Sequence, residues 1–225
     1  MNRTMYDLIG LAAGVCFILA LKGLSHPKTA RRGNLIGAFG ATLATLVVFA
    51  YNAPLNNLGW IIGAIAVGSL IGVPAARKVQ MTQMPQLVAL FNGVGGGAAA
   101  LVAIVEYLAL GADASTAVVI FTVFTVVVGC VSFSGSIITF LKLQELMTTR
   151  PVVFPGGRFV IAATLAAVLG VSGWVVVALG TTPLLILAAL SLLFGVLFVL
   201  PVGGADVPIV ISLLNAFTGL TVAAS

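Results

Sequence analysis

Residues 116–141 read TAVVIFTVFTVVVGCVSFSGSIITFL, twenty-six positions without one charged side chain. Bilayer hydrocarbon is about 30 Å thick and takes about 20 apolar residues to cross as a helix, so this run can span it with residues to spare. Outward from it, comparable apolar runs occupy 5–24, 34–51, 58–75, 85–109, 159–179, 182–200 and 207–224. That makes eight predicted spans. Over the whole chain 61% of residues are hydrophobic and 7% charged, with a mean hydropathy of +1.25. Soluble domains hold about 45–50% apolar and about 25% charged residues, and no water-soluble fold could hide this much apolar surface. The fold class is therefore all-α, a polytopic transmembrane bundle of about eight helices over residues 1–225. Almost nothing is left for a soluble catalytic domain.

The first run lacks the small-residue cleavage site and strongly basic leader of a secretion signal, and further spans follow it, so it reads as a retained helix. Lys22, Lys28, Arg31, Arg32, Arg77, Lys78, Lys142, Arg150 and Arg158 lie at or between spans one and two, three and four, or five and six. Those connections share one side of the membrane. The positive-inside rule makes that side the cytoplasm and places the N-terminus outside despite Arg3. Tyr6, Tyr51, Trp60, Tyr107 and Trp174 fall near the opposite ends of their spans, where amphipathic rings settle at an interface. The net charge of +5 thus encodes orientation and not affinity for nucleic acid. The one histidine, His26, sits in what reads as a basic loop, 25–34, solvated among cations. With eight spans the C-terminus also lies outside, and its lack of a polar tail suggests that the natural chain continues into a ninth span.

Small residues recur at helical spacing: Gly33, Gly37 and Ala41; Gly59 and Gly63; Gly68 and Gly72; Gly93 and Gly97. Such spacing lets helix backbones approach closely in lipid. The string GVGGGA at 93–98 superficially fits a dinucleotide fingerprint, which requires a strand, a tight turn and a helix start. Its place inside an apolar span argues for helix packing instead. Cys16 and Cys130 both fall in apolar runs, where an unpaired thiol behaves as a small hydrophobe. Neither a disulfide nor a metal site is expected.

A polar side chain at membrane depth costs free energy, so those present need a reason. Asn92 stands some seven residues into the fourth span, just before the glycines. Ser132, Ser134, Ser136 and Thr139 stud the inner half of the fifth. Asp206 opens the eighth beside Gly203 and Gly204, and Asn215 lies near its middle between Ser212 and Thr218. Serines and threonines can bond back to their own helix, and Asp206 can cap its helix N-terminus. An asparagine amide has two donors and an acceptor, more than one helix can satisfy, so Asn92 and Asn215 call for interhelical bonding or a hydrated path. Glu106, beside Tyr107, reads as a solvated residue at the outer edge. No paired carboxylates, metal cluster or nucleophile constellation is visible, so no catalytic residue is expected on these spans.

Four strings carry a resemblance: LSHPKTARRGN at 24–34, KVQMTQMPQLVAL at 78–90, FSGS at 133–136 and GGADVPIVISLLN at 203–215. In order and spacing they closely resemble the membrane domain of the proton-translocating NAD(P) transhydrogenase beta subunit, over the whole length of the chain. The resemblance implies nine spans followed by a cytoplasmic NADP(H)-binding domain, so that the last span and that domain are absent here, as in a C-terminally truncated chain. It implies hydride transfer between NAD(H) on an alpha subunit and NADP(H) on the beta subunit, driven by protons crossing the bundle. Neither nucleotide is then bound by these residues. The implied partners are the alpha subunit or subunits, membrane lipid and a second copy of the complex, in the inner (plasma) membrane.

Residue by residue, Asn215 matches a family asparagine of the proton path, with Asn92, Ser132, Ser136 and Ser212 beside it. Asp206 matches an acidic residue on the face nearest the nucleotide domain. Asn92 is a departure, since many members place a histidine there; a carboxamide cannot titrate near neutral pH as histidine does. Gln83 and Gln86 stand where many relatives carry glutamates. The titrating group is therefore expected on a partner helix, as in members that resemble this chain and keep the histidine on the alpha side. A stand-alone secondary transporter is the competing class, but no internal repeat is evident and only the glycines after Asn92 hint at a broken helix. A passive anchor would have no use for intramembrane asparagines.

Overall fold

The computed structural model describes residues 2–51, 57–111 and 114–224. They form eight α-helices: α1 (Arg3–Leu24), α2 (Pro27–Tyr51), α3 (Leu58–Lys78), α4 (Met84–Leu110), α5 (Thr116–Leu143), α6 (Gly157–Ala178), α7 (Thr181–Val199) and α8 (Val207–Ala224), with a 3₁₀ turn, Met81–Gln83, ahead of α4. No strand occurs among the described residues. Seven helices are long and apolar enough to cross a membrane. The eighth, α8, is shorter at 18 residues. The chain is a multi-pass membrane protein.

Two compact units divide it, Met1–Gly72 and Val73–Ser225. In the first, α1 and α2 form a tight hairpin. The stretch read as a basic loop, 25–34, is helical from Pro27 onward, leaving Ser25 and His26 as the whole connection. The physical reason is local. Proline at a first helical position needs no N–H partner and brings a helical φ, and lysine, alanine and arginine then favour propagation. Thr29 Oγ1 donates to Gly23 O at 2.7 Å and to His26 O at 3.2 Å, tying the two helix ends together. A Cβ placed on Gly23 would stand 2.7 Å from Gly33 Cα, and one on Gly40 2.8 Å from Cys16 Cβ. Only glycine permits so close a crossing. At the far end of the hairpin the Tyr6 and Tyr51 rings meet, tilted by 34°, with centroids 4.4 Å apart. Gly59, Gly63, Gly68 and Gly72 of α3, by contrast, have nothing within 4 Å of an added Cβ among the described residues.

In the second unit α5 is the central helix, with α4, α7, α8 and α6 packed against it. Its N-terminus is capped by Ser115, whose hydroxyl accepts from Val118 N. One apolar core gathers Ala100, Tyr107, Val119, Val126, Val175 and Leu187, and a second gathers Val131, Ile138, Val199, Val210 and Leu214. Tyr107 is therefore not an interfacial ring as its position suggested; it is 4% exposed, and its hydroxyl lacks a partner. The small residues of α4 and α5 draw it inward. Cys130 is buried in the same core, and both cysteines are free thiols.

The C-terminus of α5 closes with Glu145 at φ +58°. Glu145 N donates to Lys142 O and Leu146 N to Leu141 O, the paired bonds of a Schellman motif whose left-handed position normally holds glycine. A side chain there costs about 1–2 kcal/mol. Glu145→Gly is accordingly expected to raise thermal stability by about 1 kcal/mol, part of the relief being lost to the freer unfolded chain. Unfolding of the purified protein in detergent, followed by circular dichroism, measures it; a lower midpoint would contradict the strain.

Candidate functional site

The helix spacing of α5 puts Thr125, Ser132, Ser136 and Thr139 on one stripe, with Gly129 between the first two. All four hydroxyl residues are essentially buried, and the stripe runs about 21 Å along the helix at about 1.5 Å per residue. Against it lies the small-residue face of α4. A Cβ on Gly96 would stand 2.9 Å from Ser132 Cβ, one on Gly93 3.0 Å from Ser136 Cβ, and one on Gly129 2.6 Å from Gly96 O. The glycines thus bring the α5 hydroxyls within reach of a polar side chain of α4.

That side chain is Asn92, 8% exposed. Its Nδ2 donates to Ser136 Oγ at 2.9 Å and to Ser132 Oγ at 3.2 Å. Ser132 Oγ shares a 2.7 Å bond with Thr218 Oγ1 of α8, either atom donating, and Thr218 Oγ1 also reaches Leu214 O at 2.9 Å. Three helices are joined by one chain of amide and hydroxyl groups. Asn92 Oδ1, Thr139 Oγ1 and Thr125 Oγ1 are buried without partners. Each buried polar atom left so costs about 1–3 kcal/mol, which bound water would relieve. Turning the Asn92 amide over would only change which of its ends is left free. Nearer the start of α4, Gln86 Nε2 donates to Leu143 O at 3.1 Å while its Oε1 is unpartnered. Ser134 is different: its hydroxyl turns back to Cys130 O at 3.0 Å.

Asn215 and Ser212 do not join this chain. Three helical residues turn about 300°, so each backward step from Thr218 drifts about 60° around α8. The drift carries both to an exposed groove of about 430 Å³ lined also by Met84, Pro85, Val88, Pro208 and Ile211. Asp206 stands exposed in the turn before α8, its carbonyl accepting from Ile209 N and Val210 N. The sequence-predicted set therefore divides into a buried trio, Asn92, Ser132 and Ser136, a groove pair, and a carboxylate at the helix start. Glu106 is exposed near the end of α4.

Two further residues belong to these contacts. Thr218 reads in the sequence only as a neighbour of Asn215; its place one turn beyond the buried Leu214 turns it inward. Lys142, which by sequence groups with the basic residues at the span ends, is a residue of α5 and fully buried. Its position seven after Gly135 and four after Ile138 puts it on the face that meets α7.

Among the described residues no group of three or more His, Cys, Asp or Glu could hold a metal ion. The 93–98 string does not fit a dinucleotide: α4 runs unbroken from Met84 to Leu110 through it, so its backbone amides lie mid-helix and no helix start is offered to a pyrophosphate. The same continuity removes the one hint of a broken transporter helix. What the arrangement can do is relay: hydroxyls and water both give and take a proton, while an amide orients them.

Two curated relatives from Rhodospirillum rubrum, both named NAD(P) transhydrogenase subunit beta, are each 40% identical over 216 residues, covering 93% of this chain and 46% of the relative. The chain thus spans under half the length of these relatives. The NAD(P) transhydrogenase beta subunit family matches residues 6–225, across every helix just described. An all-helical membrane unit with one buried polar chain and relatives of this kind has a definite place: the protein belongs to the NAD(P) transhydrogenase beta subunit family.

Proposed function

We propose that this chain is the proton-conducting membrane part of an NAD(P) transhydrogenase, coupling proton passage to hydride transfer between NADH and NADP+. The observation that carries the reading is Asn92, joined to Ser132 and Ser136 and through Ser132 to Thr218 inside membrane helices, with its carbonyl oxygen buried and unpartnered. Hydride transfer and both nucleotides, NAD(H) and NADP(H), belong to other parts of the complex, among them an alpha subunit. Such coupling draws on the membrane potential, about 2.3 kcal/mol per charge per 100 mV. The basic helix ends face the cytoplasm of an inner-membrane complex, the complex is a homodimer, and Asp206 stands on the face toward the nucleotide domain.

None of the buried trio titrates near neutral pH, so the ionising group comes from a partner. The exposed groove that holds Asn215 and Ser212 supports this, because an amide left facing lipid is costly and a partner helix with a histidine at that depth would satisfy it. Proton pumping by proteoliposomes of the full complex is expected to fall sharply for Asn215→Ala, and again when the partner histidine is replaced. Unchanged pumping in both variants would reject the reading. A proton-coupled solute transporter would instead show solute uptake that needs neither nucleotide.

A further inference from the structure

The inner end of α5 carries a cation with no part in the proton relay. Lys142 is 0% exposed, and its Nζ donates to Leu200 O at 2.6 Å, Val202 O at 2.7 Å and Val199 O at 3.3 Å. An ammonium has three protons, and all three find carbonyls at the C-terminus of α7, the negative end of that helix dipole. No acceptor is a carboxylate. Burying a charge is costly unless it is fully bonded, and an apolar side chain of similar length could fill the same space, so packing alone does not account for a lysine.

What it holds is specific. Residues 199–206 lead from α7 into Asp206 and α8, and they are stitched at the same level to the segment after α5: Val152 N donates to Leu200 O, and Gly204 N to Thr149 O at 2.9 Å. Ten residues back along α5, Ser132 meets Thr218 of α8. α5 is therefore tied at two levels to the segment that runs from the end of α7 through α8, once by Lys142 at the 199–206 turn and once by Ser132 at Thr218 in the body of α8. We infer that Lys142 is a positioning residue for proton coupling: it ties the 199–206 turn to α5, so that a displacement at Asp206 reaches Ser132 and Ser136 as movement of one body. The inference rests on the proton-conducting reading above.

The test reads protons translocated per hydride transferred, with the complete complex in proteoliposomes. Lys142→Met keeps the length of the side chain and removes its donors; it is expected to retain hydride transfer while lowering the ratio about fivefold or more, in the range of ordinary coupling energies. A covalent tie should replace the lost one. A Cβ on Gly204 stands 3.4 Å from Thr149 Cβ, near the separation of about 3.5–4.5 Å that disulfides require. Adding Thr149→Cys and Gly204→Cys to Lys142→Met is expected to restore the ratio when oxidised and to lose it again on reduction. An unchanged ratio in Lys142→Met, or a low ratio that oxidation does not restore, would overturn the role. Should Lys142→Met fail to assemble, Lys142→Gln, which keeps a polar head but not the charge or reach, is judged by the same two outcomes. Failure of the proton-conducting reading is distinguishable, because then the unmutated complex itself would move no protons.

Discussion

Gly129→Val is expected to part α4 from α5 and to cost most of the folded protein. An added Cβ at 129 meets Gly96 O at 2.6 Å, Ala100 Cβ at 2.9 Å and Ala100 N at 3.1 Å. Two of these are backbone atoms, which no rotamer change can move aside. Overpacking a core costs about 1–3 kcal/mol and sometimes more, and here both sides of the contact are helix backbone, so the upper end applies. In lipid the loss is felt directly, since close van der Waals packing is a main source of helix association. The bonds from Asn92 to Ser132 and Ser136 would lengthen with it. The control is Gly95→Val on the partner helix α4, where an added Cβ meets nothing within 4 Å. Monodisperse yield in mild detergent and thermal unfolding decide the matter, and equal results for the two valines would contradict the tight seam.

The second large effect is on transport. Asn92→Leu conserves volume but removes both bonds to α5 and the free carbonyl oxygen, leaving Ser132 and Ser136 without the amide that orients them. Proton translocation by the full complex is expected to fall about tenfold, equivalent to about 1.4 kcal/mol on the barrier. If Asn92 were only a packing amide, assembly or melting temperature would drop while turnover per folded complex stayed intact. Measuring both on one preparation separates the two roles.

The helices themselves could be read from apolar runs because lipid demands an unbroken stretch of side chains and leaves few alternatives. Helix ends were less legible where charge misled. The Lys28–Arg32 region looks like a loop by polarity, yet proline and good helix formers make it the first turns of α2. Asn92 and its serines were visible as costly polar groups at depth, and pairing them needed only the recognition that the glycine faces would bring α4 and α5 together. Thr218 and Lys142 were harder. Which way a side chain turns on α8 depends on a drift of about 60° per three residues, and a lysine at a helix end reads as solvated until the neighbouring carbonyls are in place. Asn215 shows the converse: conspicuous in the sequence, it faces a groove and lies outside the buried chain.

The two native thiols have a practical consequence. Cys130 is buried at membrane depth, and Cys16 sits partly covered within α1. Water-borne maleimides therefore have little target on these helices, which already serve as a near-silent background for labelling. A single cysteine introduced at Thr148, Arg150 or Ala205, all exposed, would report by its modification rate which side of the membrane the basic ends face. Topology can thus be mapped without first removing the thiols of these helices.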